Sequence, residues 1–228
     1  MKKEKRIGII VAIELDAVFK LYPEAKELEA PKGFKLLYVE RENTKIYILR
    51  TGMGTVRASA GVQYLVSSLG VSYIINFGVV GGLTEEMKKL KVCLVKDVVS
   101  YQFDCSEFMD LKVGQVDEHD SIYLPTNEKL LKMAMKELPE LSLVTLCSGD
   151  KFVSKAEEKK YLNETFKGQI CDMESAGIVL ASELNEVPCL LLKAVSDGLS
   201  DGAEGFYNEL LNASLVCLEA ANRIIRAL

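Results

Sequence analysis

Short hydrophobic runs alternate with stretches whose apolar residues recur at helical spacing along most of the chain. The runs have strand length and strand-like composition, and they predict buried strands at 6–13, 72–77, 91–101, 142–147 and 188–195. Residues 14–20 begin a helix or a turn. Helical spacing predicts further helices over 55–69, 127–138 and 155–164, in the stretch after 171–177, and from about 207 to the end.

One pair of β-rich runs carries its own turn signal. FKLLYVERE at 34–42 and KIYILRT at 45–51 are separated by Asn43 and Thr44, a spacing that predicts a hairpin. Elsewhere strands and helices alternate, the strands are long and apolar, and there are few linkers. The pattern predicts one α/β domain over 1–228, with a central mixed, mostly parallel twisted sheet flanked by helices.

Composition narrows the possible functions. Hydrophobic residues make up 49% of the 228 residues, which allows a large core. The net charge of −5 and the pI of about 5.2 argue against nucleic-acid binding, because a nucleic-acid surface would need a basic face. No apolar run reaches 18 residues, so no membrane span is expected. The apolar start resembles a leader, but Glu14 and Asp16 interrupt it and no small-residue cleavage site follows.

The cysteines and the histidine contribute little chemistry. None of the six cysteines forms a C-x-x-C pair and most lie in apolar runs, as in reduced core residues of a cytoplasmic protein. His119 is the only histidine and lies in a polar stretch, so a histidine-based triad would depend on it alone. We expect no metal and no cofactor.

Glycines and acids follow the predicted strands, where open α/β sheets usually build their sites. They occur at Glu14 and Asp16, in TGMG at 51–54, in GVVGG at 78–82, in SGD at 148–150, in DME at 172–174 and in SD at 196–197. Any one of these turns needs no ligand, but several together, some bearing acids, indicate a site. The glycines match neither G-x-G-x-x-G nor the P-loop pattern. A ligand with hydroxyl groups or an aromatic ring is therefore favoured over a polyphosphate.

The order of these motifs resembles the nucleoside phosphorylase/nucleosidase superfamily, and within it the 5′-methylthioadenosine/S-adenosylhomocysteine nucleosidases. The matching segments span nearly the whole chain: IGIIVAIELD at 7–16, TGMG at 51–54, NFGVVGGL at 76–83, YQFDCSEF at 101–108, SGDKFV at 148–153, DMES at 172–175 and AVSDG at 194–198. Each motif is weak alone, and their order and spacing carry the resemblance. It implies an enzyme that binds a purine nucleoside and cleaves its N-glycosidic bond.

The resemblance implies roles for two acids. Cleavage needs a proton on N7 of the base and an acceptor at the ribose hydroxyls. Asp197 matches the family's general acid, and Glu174 matches its ribose-binding glutamate. Without the resemblance, Asp197 reads as a helix or turn cap and Glu174 as a first-turn helix residue.

Further residues match substrate-binding positions. Phe152 would stack on the base, the backbone of Val153 would bind the edge of the base, and Met173 would pack on the sugar. Phe206 would lie near the 5′ group, and Phe108 resembles an aromatic residue supplied by a neighbouring subunit, which implies a homodimer. The remaining expected substrate-binding residues are Met53, Gly81 and Ser196.

The match is imperfect where the family positions its water. The family has a glutamate where this chain has Asp16, a serine where it has Val79, and an arginine where it has Lys193. Asp16 could still assist water. A lysine keeps the positive charge of arginine but lacks the planar, two-pronged donor geometry of the guanidinium group. These changes leave open a shifted substrate, including a futalosine-type one, a slower enzyme, or phosphate as the nucleophile. They also leave open a nucleoside-binding protein with little turnover.

Phosphorolysis meets an obstacle in the same region. The superfamily's hexameric phosphorylases usually have an arginine where this chain has Asn76, and a serine at Val79. A phosphate subsite without those donors is hard to build, although Arg57 could be recruited.

Overall fold

A mixed sheet with helices on both faces organises the chain. The computed structural model describes residues 4–41 and 43–228. Glu42, the last residue of the first predicted hairpin strand, lies outside them. The strands are β1 (Lys5–Val11), β2 (Lys26–Leu28), β3 (Lys35–Arg41), β4 (Thr44–Arg50), β5 (Tyr73–Gly82), β6 (Val92–Ser100), β7 (Leu124–Pro125), β8 (Ser142–Ser148), β9 (Ile170–Asp172) and β10 (Cys189–Asp197). The helices are α1 (Leu15–Leu21), α2 (Thr55–Leu69), α3 (Glu128–Glu137), α4 (Ala156–Phe166), α5 (Ser175–Leu184) and α6 (Gly202–Ala227).

The sheet confirms the predicted α/β class. β1, β4, β5 and β10 form its parallel centre, because β1 pairs with β4 and β5, and β5 pairs with β10. β3 and β4 form the predicted antiparallel hairpin, with β2 at its outer edge. The carboxyl ends of the four central strands therefore lie at one edge of the sheet.

Five strands, including β5 and β10 of this centre, form a closed ring of pairings. β10 pairs with both β5 and β6, β6 continues to β8, β8 to β9, and β9 returns to pair with the end of β5. Closure brings the last residues of β5, β9 and β10 together. This convergence positions the cavity described below.

The core fills both faces because alternate residues of a strand point to opposite sides. On one side, Ile9, Phe77 and Leu192 pack with α1, α3 and α6. On the other side, Ile10 and Leu191 pack with α2 and α5. Strands buried on both faces explain the continuous apolar runs in the sequence.

The structure differs from the sequence prediction in several elements. Gly78–Gly82 belongs to β5 and does not form a strand–helix turn, because β10 pairs along it and β9 joins it at Gly81 and Gly82. The short strands β2, β7 and β9 are not predicted from the sequence. α6 begins at Gly202, five residues before the predicted start. In the part of the chain that the structure describes, no helix is both long and apolar enough to span a membrane.

Candidate active site

A cavity opens at the carboxyl ends of β1, β5, β9 and β10. Its volume, including the part open to solvent, is about 550 Å³, which is within the range of small-molecule sites. Its lining residues come from seven segments of the chain: Ala12–Glu14, Met53, Val79–Gly81, Lys151–Val153, Cys171–Glu174, Asp197 and Phe206. Seven of the predicted site residues are therefore brought together with Glu174: Asp197, Met53, Gly81, Phe152, Val153, Met173 and Phe206.

Gly81 lies at the junction of three strands. It pairs with Cys171 in β9 and with Asp197 in β10. A Cβ atom at this position would lie 3.1 Å from the Cys171 sulfur and 3.2 Å from Asp197 Oδ2, closer than most side-chain contacts. Glycine therefore leaves room for the Asp197 carboxyl at the cavity wall.

Asp197 is buried and held on both of its oxygens. The register of β10 on β5 shifts between Val195 and Asp197, and such bulges re-aim side chains. The Ser196 hydroxyl lies 2.9 Å from Oδ1, and the Lys159 ammonium donates to Oδ2 at 2.6 Å. Ser196 is buried and does not line the cavity, so its contact with substrate would be indirect, through Asp197.

Glu174 lies at the start of α5, on the floor of the same cavity. Its Oε1 atom accepts a hydrogen bond from the backbone N–H of Gly54, at 2.9 Å. Burial, and then the negative charge of Asp172, raise the pKa of Glu174 to about 7. The group can therefore change its protonation state near neutral pH.

Asp172 forms a second buried ion pair, with Lys193. Its Oδ2 atom accepts from the lysine ammonium at 2.7 Å, and Oδ1 accepts from the backbone N–H of Ser175 in the first turn of α5. Burial opposes both charges, but mutual attraction and hydrogen bonding outweigh it. The pKa of Asp172 is therefore lowered and that of Lys193 is raised. Lys193 thus fixes Asp172, which lies two residues before Glu174, through a buried ion pair.

We predict that Lys193→Met lowers the free energy of unfolding by roughly 3–5 kcal/mol near pH 7, because it leaves the Asp172 carboxylate buried without its partner. The lowered pKa of Asp172 means its contribution is present above its unfolded-state pKa and is lost as pH falls through the folded value. The raised pKa of Lys193 means its contribution is present below its unfolded-state pKa and is lost as pH rises through the folded value. The difference between wild type and variant should thus be largest between about pH 4 and pH 10.

Urea unfolding measures this effect, and Lys132→Met is the matched control. Lys132 contacts Glu128 at 2.6 Å, but both side chains are more than 70% exposed. Its loss should cost only about 0.3–0.5 kcal/mol. Equal losses in the two variants would show that burial of the Lys193 pair contributes nothing.

Glu14, and not Asp16, faces the cavity. Asp16 lies in the first turn of α1, where its side chain is exposed and does not line the cavity. Glu14 is buried, and its carboxylate accepts from the backbone N–H groups of Ala12, Ile13 and Val79, at 2.8–3.2 Å. This corrects the expected position of the first acid. The sequence signal was present, since Glu14 follows β1 closely, but the pattern could not rank the two acids.

The aromatic residues separate into two groups. Phe152 and Phe206 line the cavity and pack edge to face, with ring centroids 5.4 Å apart. Val153 is buried beside them, and Met53 is largely exposed. Phe108 does not line the cavity and is 77% exposed. Its contribution from a neighbouring subunit, and the homodimer this implies, stay predictions.

His119 lies apart from this cavity. Its ring contacts Glu183 at 3.1 Å, and both residues line a separate cleft near the amino ends of β5 and β10. The structure therefore gives the histidine no part in the candidate site.

The family assignment rests on the whole chain. The model of the phosphorylase superfamily matches residues 6–228. The chain belongs to this superfamily. The resemblance inferred from the motifs is thereby confirmed, and the cavity residues lie within the matched region.

The similar proteins include nucleosidases named for two kinds of substrate. The chain is 31% identical over 199 residues to a 5′-methylthioadenosine/S-adenosylhomocysteine nucleosidase of Haemophilus ducreyi, covering 84% of each protein. It is 26% identical over 217 residues to an aminodeoxyfutalosine nucleosidase of Helicobacter pylori, covering 92% of this chain and 93% of that one. The native structure of futalosine hydrolase of Helicobacter pylori superposes with a TM-score of 0.92 at 24% identity, over 99% of both chains. At this identity the likeness shows a shared fold.

Proposed function

We propose that this protein hydrolyses the N-glycosidic bond of a 5′-modified purine nucleoside, of the kind represented by 5′-methylthioadenosine and S-adenosylhomocysteine. One observation carries the proposal: the carboxyl groups of Asp197, Glu174 and Glu14 share a nucleoside-sized cavity with an aromatic pair. The superfamily relatives named as nucleosidases support it.

The proposed roles follow from the charges that develop as the bond breaks. The base gains negative charge and the ribose gains positive charge, so a proton donor is needed at one end and carboxylates at the other. Asp197 delivers a proton to N7 of the base. Glu174 accepts hydrogen bonds from the ribose hydroxyls and stabilises the ribosyl cation. Glu14, held by three backbone N–H groups, orients the attacking water and accepts its proton.

The binding roles use the apolar wall. Phe152 stacks on the purine, the backbone of Val153 binds the edge of the base, and Met173 packs on the sugar. Phe206, in edge-to-face contact with Phe152, borders the 5′ group together with Met53. Methionine and aromatic side chains favour a 5′ substituent with an apolar portion, such as a thioether.

Water suits this cavity better than phosphate. Asn76 is buried, and its amide donates to the backbone carbonyls of Ile10 and Phe77. Arg57 donates to the carbonyls of Gly33 and Thr51 and does not line the cavity. Four carboxyl groups line the cavity, with Lys151 as its one lining cation among the described residues. Two of these carboxylates are paired with buried lysines, and Glu14 already occupies the backbone N–H groups of Ala12, Ile13 and Val79, so a phosphate dianion would find few free donors there.

Adenine release tests the proposal. Purified protein is given 5′-methylthioadenosine, S-adenosylhomocysteine and aminodeoxyfutalosine in parallel, and kcat/KM is measured for each. We expect adenine from at least one substrate, with the 5′-methylthio compound used efficiently. Absence of adenine from all three would contradict the proposal.

We predict that kcat/KM falls below about pH 7, by up to tenfold per pH unit, because protonated Glu174 cannot accept from both ribose hydroxyls. The pKa of about 7 sets this limb, and Glu174 is ionised and competent above it. A pH–rate profile measures it. Glu174→Gln should have much lower activity and no acidic limb in this range. The same limb in the glutamine variant would assign it to another group.

A further inference from the structure

Lys159 is a buried cation with no place in the roles proposed so far. It lies in α4, and none of its side chain is exposed. Its ammonium donates to Asp197 Oδ2 at 2.6 Å and to the carbonyl of Gly198 at 2.7 Å. A buried ion pair is retained at a considerable desolvation cost, and replacement by apolar residues is often neutral or stabilising. Its position against the proposed acid therefore calls for a functional account.

The pair also raises a chemical question about the proposed function. Asp197 can deliver a proton to the base only if it carries one. Its carboxylate is instead in close contact with an ammonium on Oδ2 and with the Ser196 hydroxyl on Oδ1. The nearest available proton is the one on Lys159 Nζ, across a short hydrogen bond.

We infer that Lys159 is a positioning residue that supplies the proton which Asp197 delivers to N7 of the departing base. This inference rests on the proposed function. A proton moves from Nζ to Oδ2, and the resulting carboxylic acid gives its proton to N7 as the N9–C1′ bond breaks. The electron pair of that bond goes to the base. Lys159 is left as a neutral amine and Asp197 again as a carboxylate.

The remaining steps restore the charges. The water oxygen forms the new bond to C1′, and the proton that it loses passes to Glu14. After the products leave, Glu14 releases this proton to solvent and Lys159 takes one from solvent, so both groups regain their starting charges. Lysine suits this step because a buried amine can release its proton, whereas a guanidinium does not.

Other ionisable groups face Lys159 from the elements packed around it. Cys171 approaches from β9 and Asp201 lies just before α6, in addition to Asp197 from β10. Burial raises the pKa of the Cys171 thiol, so it stays neutral. Asp201 is exposed and its pKa is lowered, first by the N–H of Gly198. Asp197 is therefore the group positioned to exchange a proton with Lys159.

Two substrates separate proton supply from structure. 5′-Methylthioadenosine needs a proton on its leaving base, whereas the 4-nitrophenyl glycoside of 5-methylthioribose releases 4-nitrophenolate, which leaves without one. For Lys159→Met we expect kcat on the nucleoside to fall at least about 100-fold, with nitrophenolate release within about threefold and both KM values nearly unchanged. Lys160→Met, the same change at the exposed neighbouring residue, should leave both reactions unchanged.

Each other outcome has a distinct meaning. Equal losses on both substrates in a folded variant, or no loss on either, would overturn the role of Lys159. If wild type releases neither adenine nor nitrophenolate, the proposed function itself fails.

Should Lys159→Met fail to fold, the wild type decides. Because only adenine release needs a proton from the enzyme, the ratio of adenine to nitrophenolate turnover should fall as the pH rises. The acidic limb from Glu174 affects both substrates equally and therefore does not change this ratio. A ratio that is independent of pH would overturn the inference.

Discussion

Asp197→Asn is expected to lower the rate of base release by about 10²–10⁴-fold, because an amide cannot transfer a proton to N7. Nucleoside binding should stay within about tenfold, since the proton is required in the transition state and not in the bound ground state. Single-turnover adenine release, with ligand binding measured on the same preparation, gives both numbers. Retained turnover would remove Asp197 from the acid role.

This variant also leaves the Lys159 ammonium buried beside a neutral amide, so some loss of stability is expected. Retained ligand binding shows that the variant is folded under the assay conditions. Asp201→Asn is the matched control. Asp201 is four residues away, exposed, and bonded to the N–H of Gly198 outside the cavity. It should retain most of the wild-type activity.

Glu14→Gln should lower kcat by about 10²–10³-fold, because the amide cannot accept the proton that water loses. It also presents an NH₂ group to backbone N–H donors that now bind a carboxylate, which disturbs the orientation of the side chain. KM should change less than kcat, since Glu14 acts on water and not on the nucleoside. Steady-state kinetics in phosphate-free buffer measures both.

Asp16→Asn is the matched control for Glu14→Gln. Both changes replace a carboxylate with its amide near the end of β1, but the Asp16 side chain is exposed and outside the cavity. Asp16→Asn should leave kcat nearly unchanged. A large loss in Asp16→Asn with little effect in Glu14→Gln would assign the water-activating role to Asp16, as the family resemblance implies.

Elements with a strong local signal are predicted well from the sequence. The apolar run of β1, the hairpin of β3 and β4, and the helical spacing of α2 all lie within a residue or two of their predicted positions. Short elements lack such a signal, so the three residues of β9 were missed. The glycines of Gly78–Gly82 predict a turn, because glycine usually disfavours strands. Pairing on both sides, which only the fold provides, makes it a strand.

The candidate site was predictable where a motif gave residue type and position together. Asp197, Glu174 and Phe152 all line one cavity, as expected from strand ends and family resemblance. Lys159 was missed because it lies in the charged run EEKK, which ordinarily faces solvent. α4 packs with residues of β8 and β9 in a small apolar cluster, and Lys159 reaches from it to the buried Asp197 at the end of β10. The family resemblance places the first acid at Asp16, because two acids two residues apart cannot be ranked without the turn that orients them.

The central claim is hydrolysis, and the most direct test is adenine release from 5′-methylthioadenosine in phosphate-free buffer, repeated with phosphate added. We expect the same rate in both, with 5-methylthioribose as the sugar product. Release that occurs only with phosphate, and that gives 5-methylthioribose 1-phosphate, would contradict the account and make the protein a phosphorylase.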